Sequence, residues 1–375
     1  MKIALFGGSF DPVHNEHVRY VQAAKAALGL DRVYIIPSHI APHKAFGAAA
    51  SGADRLQMCN LAFRNLPYAE VSDYELRAAG TSYSYLTCRA FAERFPNDEL
   101  YFLVGADMLE DFFTWKNPDD ILAHATLVAC GRDGENPAEF REKFFRRFGK
   151  EFISISFAGD AAASHKLRVD LAFRKPTPDL DRAVRRYIDE NRLYGHPAIA
   201  PALALEKPQR REHSYRVALM AVARARSVGV AEGKALLASA LHDCAKYVPL
   251  TSPLLEDFTP PENVPPPVMH QYTGAYLARH AFGIEDEEVL DAIRYHTSGR
   301  AGMTALGKLV FLADMLESGR SFDGVERLRE IFWKDLDGCF YEALREQTEY
   351  LAASGSRVYP LTREAYEYEK ARQNR

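Results

Sequence analysis

Hydrophobic periodicity changes character once along this chain, and that change limits the folds open to it. Up to about residue 195, short apolar runs alternate with amphipathic stretches. Residues 33–37, 100–105 and 125–130 read as buried parallel strands, with helical runs over 55–65 and 85–95 between them. Strand and helix in turn imply a doubly wound parallel sheet, which binds ligands at the carboxyl ends of its strands. From Arg211 onward the pattern is almost wholly helical, with apolar residues at helical spacing over 214–227, 231–246, 272–282, 285–295 and 304–317. Pro197, Pro201 and Pro208 mark a linker between the halves, and the proline-rich run 260–267 reads as a surface loop. The expected architecture is an α/β doubly wound parallel-sheet domain over 1–195, a linker over 196–209 and an all-α domain over 210–375.

Bulk properties exclude several function classes. A net charge of -4 argues against a chain-wide nucleic-acid footprint. The 5 cysteines are scattered and form no Cys-x-x-Cys pair, which points to a reducing compartment and no sulfur metal site. Gly7-Gly8 cuts the first apolar run too short for a signal peptide, and no stretch nears the roughly 18 apolar residues of a membrane span. The expectation is a cytoplasmic protein with small-molecule partners, neither nucleic acid nor membrane, and a homo-oligomer is left open.

The run Lys2–Phe6 reads as the first strand and is followed by Gly7-Gly8-Ser9-Phe10-Asp11-Pro12-Val13-His14-Asn15-Glu16-His17. Two glycines allow a sharp turn and close backbone approach to a ligand. His14 and His17, three apart at the start of a helix, would share a face near its positive end. Backbone donors, helix dipole and two imidazoles together suit a polyphosphate. The segment resembles the nucleotidyltransferase signature His-x-Gly-His or Thr-x-Gly-His, with Glu16 where that family has glycine. Further segments resemble the nicotinate-nucleotide adenylyltransferase branch: Ile36 to Lys44, Val71 to Leu76 followed by Gly80 to Ser84, Gly105-Ala106-Asp107 with Trp115 beyond, and Arg185 to Tyr194. The resemblance spans roughly 1–195 and implies a Rossmann-like fold that moves the adenylyl group of ATP, with Mg²⁺, onto nicotinate mononucleotide. It also implies site roles. His14, His17 and Lys44 would steady the phosphates, and the backbone of Gly7, Gly8, Ser9 and Phe10 would cradle them. Asp107 would orient the nucleotide, and Trp115 would stack on the pyridine ring. Ser164 and Arg168 would hold the triphosphate, in a segment where Ala163 and His165 depart from the family's Ser-Ser-Thr-x-x-Arg.

In the second half His242-Asp243 is an adjacent pair inside a helical run, and burying an aspartate beside a histidine is costly without a cation or partner, a metal ion being the simplest explanation. His213 lies upstream and Asp314 downstream. That order resembles the HD metal-dependent phosphohydrolases, and His270, read as standing before a helix, together with His296 suggests a second ion. Imidazoles and carboxylates without sulfur suit two divalent ions such as Fe or Mn. Two ions about 3.5–4 Å apart can clamp the attacking and leaving oxygens of an in-line displacement. The stretches 293–303, 313–317 and 320–325 resemble the HD proteins that cleave diadenosine tetraphosphate to two ADP. The resemblance makes His213, His242, Asp243, His270, His296 and Asp314 metal ligands, with Asp243 and Lys246 in the chemistry. It places Lys246, Thr297, Arg300 and Arg320 against substrate phosphates. His124 and His280 have no motif around them. Two alternatives stay open: a first half that binds a nucleotide without turnover, and an HD half that acts on another nucleotide phosphoester.

Overall fold

The computed structural model describes residues 1–39, 49–78, 81–105, 108–131, 138–156 and 163–373, so Lys44 and Asp107 lie outside the described residues. The chain divides into two compact units, Met1–Leu167 with Pro176–Tyr194, and Arg168–Lys175 with Gly195–Arg375.

Six strands form the first unit's sheet: β1 (Lys2–Gly8), β2 (Arg32–Pro37), β3 (Ala69–Val71), β4 (Glu99–Gly105), β5 (Thr126–Gly131) and β6 (Ile153–Ser156). They pair in the order β3-β2-β1-β4-β5-β6, all parallel. Consecutive Ile3, Ala4 and Leu5 are all fully buried, so β1 is covered on both faces, the condition under which a strand reads as a continuous apolar run. The strand order reverses at β1, which leaves a crevice where the carboxyl ends of β1 and β4 part. The three strands expected between β1 and β6 at 33–37, 100–105 and 125–130 are β2, β4 and β5.

The second unit is built from helices Pro208–Ala225, Glu232–Leu241, Pro266–His280, Glu287–Arg294, Ala305–Leu316, Val325–Lys334, Leu336–Ala353 and Pro360–Gln373. Leu241, Leu277, Leu290, Leu309, Leu312 and Phe340 form its fully buried core, each contributing about 1.5–3 kcal/mol by burial. Three local expectations are corrected here. The stretch 196–209 is structured: it carries the helix Ile199–Ala204 and the start of Pro208–Ala225. His270 stands inside a helix, because that helix already begins at Pro266, where a missing N–H costs nothing. His242 and Asp243 stand just past a helix end, not within one. There the chain tightens, with Cys244 N–H donating to the Leu241 carbonyl (3.1 Å) and Lys246 N–H to that of Asp243 (2.9 Å). Among the described residues no helix is long and apolar enough to cross a membrane.

Candidate active sites

In the first unit the glycine loop leaves β1 opposite the end of β2, with Gly7 level with Ile36 and Gly8 level with Pro37. A Cβ on Gly8 would stand 3.1 Å from the Phe10 ring, so the ring closes tightly over the turn and any side chain there would push it back. Phe10 takes a left-handed φ of 46° and is buried, edge-on to Phe6 (5.3 Å) and to His17 (5.1 Å). What Phe10 offers a ligand is therefore backbone. His14 caps the helix Asn15–Leu28 in extended conformation, and its backbone N–H donates to His17 Nδ1 at 3.2 Å. That bond puts the His17 proton on Nε2. The two imidazoles lie 3.8 Å apart between centroids. Burial lowers the His14 pKa to about 4, so the ring is neutral near pH 7. Its buried Nδ1 has no hydrogen-bond partner among the described residues. Glu16 is half-buried in the first turn of that helix, where the dipole favours a carboxylate.

Ser164 begins the helix Ser164–Ala172 and donates to the Pro12 carbonyl at 3.2 Å, which brings it to the histidine loop. Arg168, four residues on, belongs to the helical unit, where its buried guanidinium is ion-paired with Glu232. Trp115 is half-buried against Phe112 (5.4 Å) and Phe102 (6.2 Å), and its indole N–H has no partner among the described residues. Two residues without an expected role hold the loop. Asp11 is fully buried and accepts from Ala49 N–H (2.7 Å), Ala50 N–H (3.1 Å) and the Tyr194 hydroxyl (2.8 Å). Arg55, also buried, donates to the Ser9 carbonyl at 2.8 Å and the Ala50 carbonyl at 3.3 Å.

In the second unit all six expected ligands come together. His213, His242 and Asp314 form one group and His242, Asp243 and His296 another, with the ligand atoms of each within 4.8 Å of one another. His270 joins through Nε2, 3.1 Å from Asp243 Oδ1 and 3.1 Å from His296 Nε2. The donor set tests well against a divalent ion. His242 is fully buried, its Nδ1 lies 2.7 Å from the Ser239 carbonyl, and burial drives its pKa down to about 3. The ring is thus neutral with the proton on Nδ1, and Nε2 presents a lone pair that no described group satisfies. Burial opposes ionisation of Asp243, yet His242, His270 and His296 hold its carboxyl well below the usual range. A nest of buried nitrogens and ionised carboxylates with unused lone pairs fits a cation.

Around these candidate ligands stand groups that position them. His213 Nδ1 is 3.0 Å from Glu317 Oε1, and His296 Nδ1 is 2.7 Å from the Ile293 carbonyl. Arg210 Nη1 lies 2.9 Å from Asp243 Oδ2. Gln271, fully buried, donates to Ser298 Oγ (3.0 Å) and accepts from Ser298 N–H (3.1 Å), tying the His270 helix to the His296 turn. Lys246 Nζ is 3.0 Å and Thr297 Oγ1 3.1 Å from His270 Nε2. Arg320 donates to Asp314 Oδ1 at 2.7 Å. Arg300 is engaged by Asp291 Oδ2 at 3.0 Å and covers the Tyr295 ring. Of these, Arg210, Gln271, Ser298 and Glu317 had no expected role.

A Cytidylyltransferase-like family model matches residues 5–177, and an HD domain model matches residues 210–319. The chain is 30% identical over 324 residues to a Mycoplasma genitalium protein named a probable nicotinate-nucleotide adenylyltransferase/Ap4A hydrolase, covering 85% of this chain and 88% of that one. A Mycoplasma pneumoniae protein of the same name is 30% identical over 322 residues, covering 84% and 88%. Among solved structures, a predicted HD superfamily hydrolase involved in NAD metabolism from Clostridium acetobutylicum is 29% identical, covers 47% of this chain and 96% of its own, and has a TM-score of 0.43.

Proposed function

From the premise that this chain belongs to the family of fused nicotinate-nucleotide adenylyltransferase/Ap4A hydrolases, we infer two reactions, one on residues 1–195 and one on residues 210–375. The first transfers the adenylyl group of ATP, with Mg²⁺, to nicotinate mononucleotide, giving the deamido dinucleotide and pyrophosphate. The second cleaves diadenosine tetraphosphate symmetrically to two ADP. The observation that carries the reading is the convergence of His213, His242, Asp243, His270, His296 and Asp314 on one buried nest whose His242 Nε2 has no described partner.

In the first site no covalent intermediate is needed, so the residues act by placing charge around the α-phosphate. His17, with Nε2 as its donor, and neutral His14 supply hydrogen bonds at a helix N-terminus. Ser164 anchors the neighbouring helix to the same loop, and Trp115 offers the pyridine ring a half-buried aromatic wall. In the second site the six residues would hold a pair of divalent ions, Fe or Mn, which would neutralise phosphate oxygens and acidify water. Lys246, Thr297 and Arg320 stand beside the ligands, where the phosphate chain would lie. The likeness to the diadenosine tetraphosphate hydrolases over 293–325 supports that substrate over a nucleoside monophosphate.

Glu16 favours a second reading of the first site, as a nucleotide-binding module without turnover, because its carboxylate shares the helix turn offered to phosphate. Purified full-length protein given ATP, nicotinate mononucleotide and Mg²⁺ separates the two. Dinucleotide formation supports the enzyme, and ATP binding without product supports the module. Release of ADP alone from diadenosine tetraphosphate by the manganese-loaded protein tests the second site, and ATP with AMP as products would contradict symmetrical cleavage.

A further inference from the structure

The candidate metal ligands are not equivalent, and the group that sets them apart is a carboxylate that ligates nothing. His242 and His296 each direct Nδ1 at a backbone carbonyl, 2.7 Å away in both cases. His213 instead directs Nδ1 at Glu317 Oε1, 3.0 Å away. Glu317 is buried to 2% exposure and is gripped from behind by Gly319 N–H at 2.6 Å and by Arg216, whose Nη2 lies 3.3 Å away. A Cβ at Gly319 would stand 2.6 Å from Arg216 Nη2, so the guanidinium lies close against the turn after the Ala305–Leu316 helix. A carboxylate behind an imidazole makes its other nitrogen a stronger donor than a carbonyl dipole does, although Arg216 offsets part of the Glu317 charge. Asp314 adds a second carboxylate to the same group, although Arg320 offsets part of its charge. The opposite side relies on imidazoles and the shared Asp243. There Lys246 Nζ brings positive charge to 3.0 Å from His270 Nε2 and 3.6 Å from Asp243 Oδ1.

We propose that Glu317 is a positioning residue that makes the His213–His242–Asp314 group the tighter of two divalent-cation positions. It does so by accepting the His213 Nδ1 proton, so that Nε2, which stands 2.9 Å from Asp314 Oδ1, faces the ion beside that carboxylate. The inference rests on the metal reading of this site and is independent of which phosphoester the site cleaves.

Manganese titrated into chelator-treated full-length protein and followed by electron paramagnetic resonance tests it. The wild type is expected to show one tight ion and one weaker. Glu317→Gln, which keeps size and one acceptor but removes the charge, is expected to weaken the tight class about tenfold and leave the weak class within about twofold. Glu317→Asp is expected to recover part of that loss. Two equal classes in the wild type, an unchanged Glu317→Gln titration, or equal weakening of both classes overturns the proposal. Absence of manganese binding overturns it together with the metal reading, whereas two bound ions without diadenosine tetraphosphate cleavage defeat the substrate reading alone. Should Glu317→Gln not fold, ¹⁵N NMR of the metal-free wild type decides, with the His213 signals assigned by their loss in His213→Gln. A proton on Nδ1 is expected, and a proton on Nε2 overturns the proposal.

Discussion

His14 shows how one buried side chain ties the glycine–histidine loop to pH. Burial lowers its pKa to about 4, whereas an unfolded chain holds histidine near ~6.5. Between those values the unfolded state takes the proton first, so stability is complete above the unfolded value and is lost as pH falls toward the folded one. The linkage amounts to about 2 kcal/mol between pH 7 and pH 5. Urea unfolding at the two pH values should show that loss in the wild type and a flatter response in His14→Gln; identical slopes would mean the ring is already solvated. Glu16 gives a second residue-scale expectation. A unit charge about 4 Å from a phosphate costs about 1 kcal/mol even in bulk water. Glu16→Gln should therefore lower the KM for ATP by about threefold or more, with kcat little changed, and a KM that does not move would show the carboxylate turned away from phosphate.

Elements are held to one another by polar groups that the sequence pattern does not advertise. Lys308, 2% exposed, joins Asp337 (2.8 Å) and the buried Glu369 (2.9 Å), fastening Ala305–Leu316 to the helix Pro360–Gln373. Removing one partner of a buried pair leaves an uncompensated charge and costs about 3–5 kcal/mol. Lys308→Met is expected to lower stability by that order, and adding Glu369→Leu to restore most of it; calorimetric melting of the two variants checks both. The six candidate ligands stood out through the order they share with the HD phosphohydrolases, whereas Lys308, Gln271 and Arg55 are residue types usually found in water. Glu317 and Arg210 had a faint local signal, each standing three residues from a ligand, Asp314 and His213, and so on the same helical face. Nothing local could announce Gln271, whose partner Ser298 is 27 residues away. β3 and β6, of 3 and 4 residues, are too short for a periodicity to register. The start of the Pro266–His280 helix was hidden because a proline run reads as loop until its last members serve as the first helical turn.

At the scale of the whole chain the periodicity change near residue 195 separates a strand-and-helix pattern from a helical one, whereas the helical unit also takes in residues 168–175. Apolar spacing carries no sign of this, because the helix Ser164–Ala172 continues unbroken through the point at which its residues change unit. The segment gives the helical core Val169, fully buried, and Ala172, with Phe173 packed against them. It also supplies Arg168 to Glu232 and Asp170 to the Tyr215 hydroxyl at 2.6 Å. Cutting the chain at the apparent linker would therefore remove part of a core along with a linker. Burying valine alone contributes about 1.5–3 kcal/mol, and Glu232 would keep only Arg226 of its two ion-pair partners among the described residues. A fragment spanning 196–375 should accordingly be less stable than one spanning 165–375 by about 3 kcal/mol or more. For a fragment of this size that is a fall in melting temperature of roughly 6–12 °C. Thermal unfolding of the two fragments in chelator, which removes any contribution from bound cations, measures the difference directly. Equal midpoints would mean that 168–175 merely lies along the helical unit without being part of its core.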